Sequence, residues 1–295
     1  VSYIGFDTQE VPISGTFLEI VLQLSALSLN EVVVVGYGTQ EITKISGAIS
    51  TVKSADIEKQ KPIRVEEALQ GRASGVSVIQ NGSPGSKPTV LIRGIPSFSG
   101  TDPVVVIDGI PQTLDDLNAL NAADIKSISV LKDAASTAIY GVKGGNGVIV
   151  VNTQGGQKSQ KTVFNFNTNY GVQSVANTIG VLNASEYGAM LNEGSVSSGG
   201  ELLFPNLALL GEGTNWQKEV FKDAGITSHN LTARGGGENM SYFFSAGYLG
   251  QDGIVGGGDK SNFNRLNLTA NLSYDLTPKL KLIVNTSFVN LQSQG

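Results

Sequence analysis

The hydrophobic periodicity of the chain changes once, close to residue 160. From Ile42 to Gln157, short apolar runs alternate with brief helical stretches, a pattern typical of a mixed α/β domain with buried strands. After residue 161 the period is two residues for the rest of the chain. Because side chains alternate between the two faces of a strand, this period predicts antiparallel strands with one apolar and one polar face.

The mixed region is predicted to contain small helices and short strands. Runs of β-branched residues that end in glycine or polar turns favour buried strands. The predicted helices are Arg64 to Gln70 and Asp133 to Tyr140. The predicted strands are Gly75 to Gln80, Val90 to Arg93, Val104 to Ile107, Ile125 to Leu131 and Gly147 to Thr153.

The period-two region is predicted to form five strands. They cover residues 164–170, 227–234, 241–249, 265–274 and 279–291. Their connections alternate in length: the first exceeds fifty residues, the second is the short run 235–239, the third is longer again and the fourth is tight at Thr277-Pro278. Alternating strands joined by long and short connections in turn are typical of a transmembrane β-barrel. A soluble antiparallel sandwich gives the same pattern within any single strand and remains an alternative.

Composition removes several classes of function. The net charge is −5 and no Lys/Arg cluster is present, so we expect no nucleic-acid partner. Cysteine is absent and His229 is the one histidine, which excludes disulfides, Cys/His nucleophile pairs and multi-histidine zinc sites. No phosphate-binding loop or serine elbow occurs, and Asp115-Asp116 is interpreted as the cap of a following helix. We therefore expect no enzyme activity, no catalytic residue, no metal and no cofactor.

Three stretches carry a family resemblance. LNEVVVVGYGTQ, from Leu29 to Gln40, resembles the TonB box of SusC/RagA-type TonB-dependent transporters. The segments Gly71 to Pro111 and Leu131 to Gly156 resemble the two hallmark stretches of the plug domain of that family, and residues 213–221 and 248–268 resemble its early barrel region. The resemblance covers nearly the whole chain.

The resemblance implies a fold and a domain order. A mixed α/β plug domain would be followed by the start of an antiparallel transmembrane β-barrel, which in complete family members has about 22 strands. We expect residues 1–28 to be the end of a carboxypeptidase-regulatory-like β-domain, residues 29–40 the TonB box and linker, residues 41–157 the plug, and residues 158–295 about five barrel strands. Both ends of the chain are expected to be truncated.

The resemblance also implies a set of site residues. An extended segment before the plug could add as a strand to the sheet of TonB, although a buried strand is the alternative interpretation of four consecutive valines. The expected TonB-binding residues are Glu31, Val32, Val33, Val34 and Val35. The expected structural and gating residues of the plug are Arg93, Gly94, Asp108, Gly109, Tyr140, Gly141, Asn146 and Gly147.

The function implied by the resemblance is TonB-dependent import of oligosaccharides or peptides across the bacterial outer membrane, with the plug gating the barrel lumen. The implied partners are TonB with ExbB and ExbD, a SusD-like surface lipoprotein, the glycan or peptide substrate, and outer-membrane lipid. The alternation of connection lengths predicts that the plug side and the amino terminus are periplasmic. A signalling or adhesive receptor that binds ligand without import, and a secreted glycan-binding sandwich, are the alternatives.

Overall fold

The computed structural model describes residues 32–35, 38–41, 49–60, 62–95 and 100–295. The predicted β-domain remnant at residues 1–28 and the predicted TonB-binding residue Glu31 lie outside these residues. Strands β1 to β9 are Val32–Val35, Gly38–Glu41, Ile49–Lys53, Val76–Ile79, Thr89–Ile92, Val104–Ile107, Ile110–Gln112, Ile125–Leu131 and Val148–Thr153. Strands β10 to β14 are Val163–Gln173, Ala224–Gly236, Met240–Asp252, Asn262–Thr277 and Leu280–Gln294.

The helices are short, except for one in the long connection between β10 and β11. Helices α1 to α5 are Ser54–Gln60, Leu114–Ala119, Ala134–Thr137, Ala184–Ser197 and Trp216–Val220. Further single turns of 3₁₀-helix are Val65–Leu69, Ala122–Asp124, Ala138–Tyr140, Val142–Asn146 and Leu207–Leu209. No helix of the described residues has the length and apolar character needed to cross a membrane.

The predicted plug, residues 41–157, contains a five-stranded mixed sheet whose strands lie between residues 49 and 153. Its strand order is β3-β8-β9-β6-β7, and β6 runs parallel to β9 while the other pairs are antiparallel. Strand β9 shows why the sheet is central: its residues Val148, Ile149, Val150 and Val151 are all fully buried and pack alternately into two aliphatic clusters. Burial on both faces explains the unbroken apolar runs in the sequence.

The wall is our name for the second sheet, formed by β10 to β14 in sequence order. All neighbouring strands are antiparallel, with continuous pairing such as Asn167 opposite Asn230 and Gly247 opposite Asn267. Its luminal face, which meets the plug, carries polar residues such as Asn230 and Asn267, and the opposite face exposes apolar residues such as Phe166 and Leu268. The predicted alternation of apolar and polar faces is confirmed.

The strand predictions agree with the structure better than the helix predictions. All five period-two segments form strands, each longer than predicted, and the connections 174–223, 237–239, 253–261 and 278–279 alternate long and short. The predicted helix Arg64 to Gln70 is a 3₁₀ turn, and Asp133 to Tyr140 is a short α-helix that continues as a 3₁₀ turn. The sequence interpretation missed α4 in the first connection, although Asn183 and Glu186 form a capping box there.

Asp115 and Asp116 are placed slightly differently from the prediction. They lie in the first turn of α2 instead of before it, and Thr113 is the N-cap residue. The Asp116 carboxylate accepts hydrogen bonds from the Thr113 backbone nitrogen and hydroxyl, at 2.9 and 2.6 Å. The capping role expected for this acidic pair is therefore observed for Asp116.

Candidate gating interface between plug and wall

The predicted TonB-binding valines form a strand outside the plug sheet. Strand β1 pairs only with β2 among the described strands, with Val33 opposite Gln40 and Val35 opposite Gly38. This hairpin occupies one edge of β1, so a partner strand would pair with the other edge. The extended conformation agrees with what four consecutive β-branched residues favour.

The structure places one group of predicted plug residues at the end of the plug sheet where β6 and β9 begin. Arg93 has a positive φ of 60°, and its guanidinium forms an ion pair with Asp133 at 3.0 Å. The Asn146 side-chain amide donates to the backbone oxygens of Gly100 and Asp102 at 3.0 and 3.2 Å. The glycines of this group all have positive φ angles: Gly94 93°, Gly141 67° and Gly147 87°. Tyr140 directly precedes Gly141 and is half-buried against the smaller cluster of the core.

Asp108 and Gly109 lie at the opposite end of the same sheet. They close the two-residue turn between β6 and β7, and both have a positive φ, as a type I′ turn requires. The Asp108 carboxylate accepts from the backbone nitrogen and hydroxyl of Thr153, at 2.9 and 2.6 Å. The predicted plug residues therefore lie at two separate places, and they do not form one site.

Sequence reasoning missed a polar interface between the plug and the luminal face of the wall. Asp124 of the plug accepts hydrogen bonds from Ser245 and Thr269 at 2.5 and 2.7 Å. Four wall side chains bond to the plug backbone or to plug amides. The side chains of Arg265, Asn267 and Asn271 donate to the backbone oxygens of Asn118, Ala119 and Gln154, respectively. The side-chain oxygen of Asn230 accepts from the Asn121 amide, and each of these four bonds is 2.7 Å long.

A glycine on the wall allows the closest approach between the two sheets. A Cβ atom at Gly247 would lie 2.3 Å from the side-chain nitrogen of Asn121 and 3.0 Å from the Asn230 oxygen. Because real Cβ contacts are never that short, any other residue at this position would displace the Asn121 to Asn230 hydrogen bond. The amide of Asn121 thus fits against the wall only because position 247 has no side chain.

Glu66 is a buried acid beside this interface. Its side chain is fully buried, and neither carboxylate oxygen has a hydrogen-bond partner within the described part of the chain. The Nε atom of Arg265, which is 4% exposed, is likewise unpaired there. Burial raises the pKa of Glu66 from 4.5 to about 7, and its own backbone amide and the charges of Arg64 and Arg265 only partly oppose this increase.

The other buried acid of the interface is affected in the same direction. Burial raises the pKa of Asp124 above its ordinary value, while the hydrogen bonds from Ser245 and Thr269 act to lower it. Within the described residues, no group of three or more His, Cys, Asp or Glu side chains could hold a metal ion. The interface thus combines buried acids, a guanidinium and neutral amides, which suits docking of the plug better than bond-making chemistry.

His229, the one histidine, lies on the outward face of the wall. It lies near the middle of β11. Its Nδ1 atom is 2.7 Å from the Thr168 hydroxyl, and its ring stacks with that of Tyr248 at a centroid distance of 6.3 Å. These contacts give the histidine a structural role between neighbouring strands.

Comparison with known proteins agrees with this architecture. Residues 41–148 match the family described as the TonB-dependent Receptor Plug Domain. The chain is 38% identical over 290 residues to TonB-dependent receptor P3 of Formosa agariphila, which covers 96% of this chain and 27% of that protein. It is 34% identical over 300 residues to TonB-dependent receptor SusC of Bacteroides thetaiotaomicron, and this match covers 98% of this chain and 29% of SusC. The chain thus spans less than a third of the length of these relatives.

Solved structures show the same fold. The RagAB peptide importer in its open-open state superposes with a TM-score of 0.74 and 28% identity, over 90% of this chain and 33% of that chain. The siderophore receptor PirA of Acinetobacter baumannii shares the fold, with a TM-score of 0.53 and 15% identity over 83% of this chain and 32% of that chain. A mixed plug sheet docked on an antiparallel wall therefore defines a TonB-dependent receptor. The chain belongs to the SusC/RagA-type TonB-dependent receptors, and the predicted fold class is confirmed.

Proposed function

We propose that the complete protein imports oligosaccharides or peptides across the bacterial outer membrane in a TonB-dependent reaction, with the plug gating the barrel lumen. The observation that carries this proposal is the polar plug–wall interface, where Asp124, Arg265 and Asn267 hold the plug against the wall by hydrogen bonds. Such contacts can be exchanged for contacts with water, as a removable plug requires. Import is also consistent with the names of the relatives, of which RagAB is a peptide importer.

We propose that the plug side and the amino terminus are periplasmic. The short connections 237–239 and 278–279 lie at the wall end where the chain leaves the plug, since the backbone nitrogen of Ser159 donates to the Gly237 oxygen at 2.9 Å. In outer-membrane barrels the short turns are periplasmic and the long loops are extracellular. The apolar outward face of the wall would then contact outer-membrane lipid.

We propose TonB, energised with ExbB and ExbD, as the partner of residues 31–35. Strand β1 is extended and precedes the plug, so a TonB strand can pair with the edge of β1 that no described strand occupies. A SusD-like surface lipoprotein is the proposed partner on the other side of the membrane. The long connection 174–223 supports it, because Leu209 and Trp216 are 83% and 71% exposed there and offer apolar surface to a lid.

Val33→Pro in the complete transporter tests the proposal. Proline has no backbone N–H group, so residue 33 could no longer donate a hydrogen bond to a neighbouring strand. Cargo uptake by cells should therefore be abolished, while cargo binding at the cell surface is unchanged. Val33→Thr is the matched control, since it keeps the donor and a β-branched side chain, and should import normally. Normal uptake by Val33→Pro at normal surface levels would contradict the role of β1. Binding without uptake by the unaltered protein would favour a receptor that does not import.

A further inference from the structure

The sequence contains two asparagine-glycine pairs, and the structure gives them opposite surroundings. Asn81-Gly82 lies in the turn between β4 and β5, and Asn146-Gly147 lies directly before β9. Asparagine is one of the chemically labile side chains of proteins. A following glycine has no Cβ atom, so nothing shields its backbone nitrogen from the asparagine side-chain carbon. These two pairs are therefore the places in residues 1–295 where the backbone is most able to attack a side-chain amide.

The pair in the β4–β5 turn leaves the attacking nitrogen accessible. Asn81 and Gly82 are both exposed, and a Cβ atom at Gly82 would meet no heavy atom within 4 Å. The backbone nitrogen of Gly82 donates no hydrogen bond to any residue that the structure describes. Solvent therefore reaches this nitrogen, and no hydrogen bond within the described part of the chain has to break before its proton is removed.

The second pair is held at both of its reacting groups. Gly147 is buried, and its backbone nitrogen donates to the Gly144 oxygen at 3.0 Å. A Cβ atom at Gly147 would lie 2.7 Å from Cδ1 of Ile92, so the glycine is packed against that side chain. The Asn146 amide donates to two backbone oxygens, at 3.0 and 3.2 Å. Attack of Gly147 on Asn146 would have to break all of these contacts.

The side chain of Asn81 also closes the turn in which it lies. Its amide nitrogen donates to the Lys87 oxygen at 3.0 Å. In the same turn the Gly85 oxygen accepts from the Asn118 side chain, and the Asn118 backbone oxygen accepts from Arg265 of the wall. A carboxylate accepts hydrogen bonds but donates none, so conversion of Asn81 into an acid would remove the bond that closes the turn.

The turn itself packs against the wall. Gly85 has a positive φ of 67°, and there is no room for a Cβ atom at this position beside the ring of Phe263 in β13. Phe263 is 7% exposed. The conformation of the turn and the burial of this ring therefore depend on each other.

We propose that Asn81 is a site of spontaneous deamidation in the folded receptor, and that the reaction loosens the contact of the β4–β5 turn with the wall. Hydroxide removes the proton of the Gly82 nitrogen, which attacks Cγ of Asn81 and closes a succinimide ring. The side-chain nitrogen takes a proton from water and leaves as ammonia. Water then opens the ring at either carbonyl and gives aspartate or isoaspartate. No electrons are transferred, and water is the one co-reactant consumed.

Mass spectrometry of the purified complete receptor tests the site. The folded receptor is incubated at pH 8, and the peptides that contain Asn81 and Asn146 are compared for replacement of the side-chain nitrogen by oxygen. Asn81 should deamidate at least tenfold faster than Asn146, and the two rates should become similar when the receptor is unfolded in guanidinium chloride. Equal rates in the folded receptor would overturn the proposal. A tenfold difference that persists after unfolding would contradict it too, because the fold would not be its cause.

The products and the pH dependence identify the reaction. Isoaspartate should form at residue 81 together with aspartate, since direct hydrolysis of the amide gives aspartate alone. The rate should be at least tenfold lower at pH 5 than at pH 8, because Gly82 must lose a proton before it attacks. Asn81→Gln is the matched control: it keeps the amide but needs a larger ring, so its peptide should stay unchanged over the same period. Aspartate without isoaspartate, or equal rates at the two pH values, would overturn the ring mechanism.

Asn81→Asp tests the effect on the contact with the wall. Hydrogen exchange of the backbone amides of residues 82–88 in the complete receptor should be at least threefold faster in this variant than in the unaltered protein. Asn239→Asp is the matched control, because it makes the same change at an exposed residue of the short connection 237–239. It should leave exchange of residues 82–88 unchanged. Equal exchange in Asn81→Asp and in the unaltered protein would overturn the loosening of the turn.

Discussion

The plug core and the plug–wall interface are both buried, but they bury different groups. The core is aliphatic: Leu69, Leu117 and Ile149 are fully buried and belong to one cluster. The interface instead buries charged and amide groups, including Asp124 and Arg265, at 2% and 4% exposure. Apolar surface gains stability by leaving water, whereas a polar group gains only about 1 kcal/mol net per hydrogen bond because water can replace its partner.

This difference separates two properties that the gating proposed above would need. The core keeps the plug folded as a unit, and its contacts have no substitute in water. The interface fixes the position of the plug, and its hydrogen bonds can be taken over by water when the plug moves. We therefore expect substitutions in the core to affect unfolding of the plug and substitutions in the interface to affect its docking.

The largest effect is expected for Leu117→Ala in the core. Removal of a fully buried leucine side chain leaves a cavity, so the free energy of unfolding of the plug should fall by about 2–5 kcal/mol. Hydrogen exchange of β8 and β9 amides in the purified complete receptor, measured against urea, reports this change. Ile110→Ala is the control, since Ile110 is 60% exposed and should change the value by at most about 0.5 kcal/mol. If Leu117→Ala lowers the free energy of unfolding no more than Ile110→Ala does, the stabilising role assigned to the plug core would be contradicted.

The next effect is a dependence on pH that originates at Glu66. Because its pKa in the folded, docked plug is raised from 4.5 to about 7, its contribution to the stability of that state relative to the unfolded plug is fully present below pH 4.5 and is lost as the pH rises through about 7. One pKa unit corresponds to about 1.4 kcal/mol, so the difference between these limits is about 3 kcal/mol. The folded, docked plug should thus be more stable at pH 5 than at pH 8.

Glu66→Gln should remove most of this pH dependence, because the amide has a similar shape and does not ionise. Asp124, whose pKa is raised in the same direction, should leave a smaller residual slope of the same sign. Protease protection of the plug in the purified receptor, measured between pH 5 and pH 8, tests both statements. Glu58→Gln, at an exposed acid of α1, should keep the slope of the unaltered protein. If protease protection depends on pH equally in Glu66→Gln and in the unaltered protein, the pH dependence originates at a different group.

The smallest effect is expected for Asn267→Ala. This change removes one hydrogen bond, to the Ala119 oxygen, and should weaken docking by about 1 kcal/mol without changing exchange of the plug core amides. Asn290→Ala, on the outward face of β14, is the matched control and should affect neither measurement. Faster exchange in β8 and β9 of the Asn267→Ala receptor would show that core and interface do not act separately.

The sequence predicted the strands well because their signals are local. Strands β6 and β8 have the predicted limits, since β6 is an apolar run that ends at the Asp108-Gly109 turn and β8 ends with the buried Val130 and Leu131 before the charged Lys132. Strand β3 and helix α1 were not predicted, because ISTVK and SADIEKQ carry few apolar residues and depend on packing against the rest of the plug. The residues of the TonB-binding segment and the plug motifs remain predictions as functional sites.

The candidate site was less accessible to sequence reasoning. The polar face of the wall was expected from the alternation around Arg265 and Asn267, but their partners on the plug were not. Glu66 did give a signal, because it lies three residues before Leu69, on the side of a helical turn that should be apolar. That signal shows that an acid is near the core, and it does not show which groups surround it.

By itself, the amino-acid sequence determined the order of the elements, the alternation of the wall faces and the family resemblance, because each depends on residues that are neighbours along the chain. Tertiary structure alone decided which wall side chains meet the plug, as with Asp124 and Thr269, which are separated by 145 positions. The physical reason is that burial, pKa and cavity shape depend on distances between segments brought together by folding, and periodicity does not encode those distances.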